Sequence, residues 1–168
     1  ISLGLVGSEM CIRDSNKDYF YLLPVADIEL LPLINQSFQD LDLPILIRKN
    51  AMKDFLSVSE LSIATSGTAT LESAILECPP IICYKTNFLN YSIISRMLKI
   101  ENIGLPNLLL SKRYYQELLQ KDFNKENILK SVNETKGLIS ESLENANTLR
   151  NMLKGTGYYE ATKLISSL

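Results

Sequence analysis

At 168 residues with 46% apolar and 21% charged side chains, the chain can bury one hydrophobic core of single-domain size, which excludes a disordered or collagen-like polypeptide. A net charge of −2 gives no field that would draw in nucleic acid. The sequence holds no histidine, which removes Ser-His-Asp and Cys-His nucleophile pairs, HExxH metal sites and every imidazole acid or base. The cysteines Cys11, Cys78 and Cys83 are odd in number and have no histidine to complete a zinc tetrahedron. They read as reduced thiols of a cytoplasmic protein, and no metal site is expected. No run of 18 apolar residues is present to span a bilayer.

Residues 1–15 (ISLGLVGSEMCIRDS) begin with Ile1 rather than methionine and follow neither strand alternation nor helical spacing. They are expected to be a non-native leader, the alternative being a strand and loop with Gly4 and Gly7 as turn residues. Residues 16–168 are expected to form a single α/β domain with C-terminal helices. Residues 19–26 (YFYLLPVA) form a nearly continuous apolar run, the pattern of a strand buried on both faces, and residues 27–40 then change to helical spacing through Ile28, Leu31, Ile34 and Phe38. The alternation repeats: strand 44–49, helix 51–58, strand 61–65, helix 67–77 stopped by Pro79-Pro80, strand 81–84, helix 89–98 and an apolar segment 103–110 read as the next strand. Strands separated by helices imply parallel pairing through right-handed crossovers, hence an open, mainly parallel Rossmann-like sheet. After Ser111 the apolar runs end, and 114–120, 125–136, 139–154 and 158–168 read as helices punctuated at Gly137, Gly155 and Gly157.

Ligands of such sheets bind beyond the carboxyl ends of the strands. The strand 61–65 runs directly into Ser66-Gly67-Thr68-Ala69-Thr70-Leu71-Glu72. Here Gly67 allows close backbone approach, Ser66 is placed to cap the helix, and the helix N-terminus favours phosphate. Thr68 and Thr70 add hydroxyls. Glu72, one turn further on, would accept two hydrogen bonds from a ribose diol, against the plain alternative of a carboxylate complementing the helix dipole. Tyr84 and Lys85 follow the next strand on the same rim, where Lys85 would neutralise a diphosphate or stand as a solvated loop lysine. Asn107 follows the segment after that, as a ligand contact or the start of an Asx turn.

The strings Thr65-Ser66-Gly67-Thr68-Ala69-Thr70-Leu71-Glu72-Ser73-Ala74, Cys83-Tyr84-Lys85, Leu105-Pro106-Asn107-Leu108-Leu109 and Glu117-Leu118-Leu119-Gln120 resemble, in order and spacing, the C-terminal half of the lipid-A-disaccharide synthases. The resemblance covers roughly residues 16–168. It implies the C-terminal half of a two-domain GT-B glycosyltransferase that transfers 2,3-diacylglucosamine from UDP to 2,3-diacylglucosamine 1-phosphate, releasing UDP without a metal or other cofactor. Carried over, Ser66, Gly67, Thr68 and Thr70 would face the diphosphate, Glu72 the ribose, and Asn107 the nucleotide side of the cleft. Tyr84 and Lys85 would lie beside them. The family's glycine-serine-arginine element and its N-terminal half, which carries the acceptor site, are missing from the matched region. The chain is therefore expected to be a donor-binding fragment, inactive alone, whose partners are UDP-diacylglucosamine, the lipid acceptor and the missing acceptor domain.

Two alternatives stay open at this point. One is a non-catalytic domain that binds nucleotide sugars; the other is a different UDP-sugar enzyme with the same half-fold, which leaves LPNLL unexplained. Residues 88–100 put Phe88, Leu89, Tyr91, Ile93, Ile94, Met97 and Leu98 near Arg96 and Lys99. That pattern fits either a core-facing helix or an interfacial helix, and the latter would make the protein peripheral on the inner membrane.

Overall fold

The computed structural model describes residues 19–38, 44–85 and 102–154. The expected leader 1–15, the helix at 89–98 with its membrane alternative, and the helix at 158–168 lie outside the described residues. The expected α/β class with parallel strands is the architecture observed. Strand β1 (Tyr21–Val25) pairs in parallel with β2 (Ile45–Lys49), from Tyr21 opposite Ile45 to Val25 opposite Lys49. Between them a 3-10 turn (Ile28–Leu30) leads into α1 (Leu31–Phe38). Helix α2 (Met52–Val58) buries Phe55 and Leu56 and packs on β1.

A second sheet carries β3 (Ser62–Thr65), β4 (Pro80–Tyr84) and β5 (Glu117–Leu119) in the order β3-β4-β5, both pairings parallel. The central strand explains the core. Its first four residues, Pro80, Ile81, Ile82 and Cys83, are all buried, as expected for a parallel strand covered on both faces. Because successive side chains alternate, Ile81 and Cys83 pack with Leu118 and Ile128 on one side. Ile82 packs with Ala74, Tyr115 and Leu149 on the other. Helix α5 (Lys125–Lys136) supplies Ile128 to the first layer, while α3 (Thr68–Ile75) and α6 (Ile139–Leu153) supply Ala74 and Leu149 to the second.

Helix α3 ends in a Schellman arrangement, with Cys78 N–H donating to Ser73 O and Glu77 N–H to Ala74 O. Glu77 takes the left-handed position at φ 67°, where glycine is usual. Its carboxylate receives Arg150 Nη2 of α6 at 2.8 Å, which fixes the end of one helix to the side of another.

Two expected elements differ. Residues 103–110 are not a strand: they contain the short helix α4 (Leu105–Leu109), begun at Gly104 and favoured by Pro106, whose fixed φ suits a first helical turn. Conversely, 114–120 is not a helix but holds β5, three residues that carry too little periodicity to announce a strand and are held by pairing with β4, including Ile82 N–H to Gln116 O at 2.8 Å.

Gly104 sits where α4 meets the sheet. A Cβ there would overlap Ile82 Cδ1 and lie 3.1 Å from Glu117 Oε1. Since Ile82 is fully buried, Gly104→Ala is expected to lower the unfolding free energy by about 1–3 kcal/mol, the range for overpacking a filled core. Urea denaturation followed by circular dichroism measures it.

Candidate functional site at the rim of the sheet

The parallel register that sets Thr65 opposite Cys83 brings the ends of β3 and β4 to one rim, so Ser66 and Gly67 lie beside Tyr84 and Lys85. Ser66 N–H donates to Cys83 O at 3.0 Å, and Ser66 Oγ donates to Ile103 O at 2.9 Å. The expected side-chain cap is thereby corrected. Gly67 is the N-cap of α3 and no side chain caps the helix, because the serine hydroxyl is drawn across the rim to the segment before α4.

Gly67 is extended, with φ 161°, and a Cβ built on it would meet nothing nearer than Thr65 O at 4.0 Å. Neither its own conformation nor its surroundings demand glycine. The Gly67, Thr68 and Ala69 N–H groups have no partner among the described residues, as the first turn of a helix leaves them. Thr68 and Glu72 are exposed on α3, Lys85 is exposed after β4, and Tyr84 is half-buried.

Thr70 and Asn107 do not reach this surface. Thr70 is fully buried and its Oγ1 donates to Gly67 O at 2.7 Å, so its hydroxyl closes the first turn of α3 from within. Asn107 lies within α4 rather than at a strand end, also fully buried. Its Nδ2 donates to Tyr115 O and Glu117 Oε1, each at 2.8 Å, and its Oδ1 accepts from Tyr114 N–H at 3.0 Å and Tyr115 N–H at 2.9 Å. Its bonding capacity is engaged by the chain itself.

Beneath the rim lies a residue whose role the sequence did not disclose. Glu117 is only 2% exposed, and its carboxylate accepts Ile103 N–H at 3.0 Å on one oxygen and Gly104 N–H at 3.0 Å and Asn107 Nδ2 at 2.8 Å on the other. Arg113 Nη2 binds its backbone oxygen. The available signals were its place in the Glu117-Leu118-Leu119-Gln120 string of the family resemblance and an acidic residue leading a short apolar run, within a segment read as a helix.

Away from the rim, burial raises the Cys78 thiol pKa despite the opposing effect of the Ser73 and Ser62 hydroxyls. Ser73 donates to Cys78 O at 2.6 Å, which leaves Ser62 as donor in the 2.6 Å Ser62–Ser73 pair. Burial likewise pushes the Tyr115 phenol up to about 12, with Asn145 opposing and the Glu141 carboxylate adding to the shift. The Tyr115 hydroxyl lies beside Asn145 without an aligned hydrogen bond.

The parallel α/β sheet and its strand-Ser-Gly-Thr-helix junction establish the class of fold, and comparison with known proteins supplies the family. The family model described as lipid-A-disaccharide synthetase matches residues 3–161, and the chain belongs to that family. It is 34% identical over 113 residues to the lipid-A-disaccharide synthase of Wigglesworthia glossinidia brevipalpis, covering 61% of this chain and 29% of the relative. With the Colwellia psychrerythraea enzyme of the same name it shares 39% identity over 95 residues, 56% of this chain and 24% of the relative. For the Geobacter sulfurreducens enzyme the figures are 29% over 128 residues, 74% and 32%. The chain thus spans about a quarter to a third of the length of these relatives.

Two outcomes follow. Asn107→Asp keeps shape but sets a second carboxylate against Glu117 inside the core, so unfolding free energy in urea should fall by about 3–5 kcal/mol at neutral pH; an unchanged value would mean that the Asn107 hydrogen bonds do not hold the fold. Tyr115, raised in the folded state, contributes stability that is complete below its unfolded pKa near 10 and is lost as pH rises through that value toward about 12. Tyrosinate absorbance should rise last for Tyr115, together with unfolding, and Tyr115→Phe should remove that alkaline step.

Proposed function

We propose that this chain forms the UDP-sugar side of a transferase joining UDP-2,3-diacylglucosamine to 2,3-diacylglucosamine 1-phosphate, with UDP leaving as the lipid A disaccharide forms. The observation that carries the reading is the row of N–H groups at Gly67, Thr68 and Ala69 without partners among the described residues, opening the helix beside Lys85. Such a helix end meets a diphosphate with donors already oriented and with the positive end of the helix dipole. Charge that develops on the departing UDP is stabilised there without reorganisation, the kind of electrostatic help that matters most in a displacement at an anomeric carbon.

In this reading Gly67 admits the diphosphate to the backbone, Thr68 adds a hydroxyl, Lys85 neutralises charge, and the half-buried Tyr84 borders the site. Glu72 takes the ribose diol. Thr70 and Asn107 hold the rim from inside instead of touching the ligand, a change from the direct contact the family resemblance implies. The acceptor lipid and the base that takes its proton belong to parts of the relatives' length beyond the matched span. The same reading places the protein in the cytoplasm at the inner membrane surface, where both lipid substrates reside. Among the described residues no helix is long and apolar enough to cross a membrane.

Calorimetric titration with UDP tests the reading. The 168-residue chain should bind, and Glu72→Gln, which keeps size and helix content, should weaken binding by about 1–3 kcal/mol, the range for losing hydrogen bonds to a charged group. A wild-type chain that folds but takes up no UDP would overturn the proposal.

A further inference from the structure

We infer that Glu117 is the positioning residue of the rim: without touching the ligand, its carboxylate fixes the Ile103–Gly104 segment and, through Ile103, sets the Ser66 hydroxyl and the loop that opens α3. The inference rests on the UDP reading for its functional consequence, while its structural half stands on the hydrogen bonds alone. Ser66 Oγ donates to Ile103 O at 2.9 Å, and the N–H of that same residue, Ile103, donates to Glu117 Oε2 at 3.0 Å. Gly104 N–H and Asn107 Nδ2 hold the other oxygen, Oε1. Residue 103 is therefore gripped from both sides, by Glu117 through its N–H and by Ser66 through its carbonyl.

The geometry requires a carboxylate. Three N–H groups converge on its two oxygens, and a carboxylate accepts at both positions without presenting a donor of its own. An amide of the same size keeps one acceptor for Gly104 and Asn107 but turns its own NH2 toward Ile103 N–H, donor against donor. The Glu117→Gln variant thus breaks the link to Ile103 selectively, or flips and breaks the pair at Gly104 and Asn107. In either case the segment that anchors Ser66 is loosened while shape and volume are kept. Because Gly104 cannot take a Cβ without displacing Ile82, the backbone has little room to recover by shifting.

A residue that merely stabilises the fold would change the melting temperature and leave the affinity of folded molecules untouched. A positioning residue changes affinity through Ser66. The test uses the 168-residue chain with UDP as probe, comparing wild type, Glu117→Gln, Ser66→Ala and the double variant by calorimetry, with amide hydrogen exchange at Ile103 and Ile82. Each single substitution is expected to weaken UDP binding about tenfold, as loss of one hydrogen bond involving a charged group or its relay would. The double variant is expected to bind no worse than the weaker single, since both cut the same chain of contacts. Exchange at Ile103 should accelerate at least about tenfold in Glu117→Gln, with Ile82 unchanged. Independent, additive losses, or unchanged affinity in Glu117→Gln, would overturn the relay. If wild type binds no UDP, the functional reading fails separately, and exchange still decides the structural half: unaltered protection at Ile103 in Glu117→Gln overturns it. If Glu117→Gln does not fold, Ser66→Ala carries the test, because unchanged UDP affinity there would also overturn the relay.

Discussion

A carboxylate buried with no cation on it among the described residues is the constraint from which the rest of the rim follows. Placing such a group inside a protein costs several kcal/mol unless donors replace the water it loses. Among the described residues Glu117 has no ion-pair partner, and its three donors all come from residues 103–107. That segment cannot leave without exposing an uncompensated charge to an apolar layer, since β5, which carries Glu117, is paired to the buried strand β4. Asn107 extends the same logic by accepting the amide of Tyr115, and that of Tyr114 which it shares with the Lys112 carbonyl, in the turn between α4 and β5. One acid and one amide thereby join α4, β5 and the β3–α3 junction into a single unit.

The helices hold that unit from behind. Thr70 closes the first turn of α3 on Gly67 O, Ala74 and Ile75 pack toward Ile82, and the Schellman turn with Glu77 and Arg150 ties its far end to α6. The N-terminus of α3 is accordingly fixed at both ends of the helix rather than left to the loop. Such rigidity matters for a site built of main-chain donors, because their value lies in being aimed before the ligand arrives.

The β3–α3 junction was legible in the sequence because an apolar run, a Ser-Gly pair and a helical stripe are each local signals, and the structure places them within a residue or two of expectation. The misread segments were those decided at long range. Leu105-Pro106-Asn107 looks like the end of a strand until Glu117 and Tyr114–Tyr115 are seen to fold it into a helical turn, and Glu117-Leu118-Leu119 becomes a strand only through β4. Site residues divide in the same way. Composition identifies Thr70 and Asn107 as polar groups near the rim, but not whether a side chain points out or in; for Thr70 a 2.7 Å bond to the carbonyl three residues earlier decides it.

Moving Thr70 and Asn107 inward strengthens the case for a main-chain site. Side-chain hydroxyls and amides at a rim compete with water and must be ordered on binding, whereas N–H groups at a helix start are ordered by the fold itself. The sequence Gly67-Thr68-Ala69 makes this plain. A glycine that neither its conformation nor its neighbours require leaves open approach to the backbone. Among the described residues Thr68, Glu72 and Lys85 are exposed side chains at this rim, so in the proposed reading the backbone would hold the diphosphate while these side chains would help read what differs between ligands.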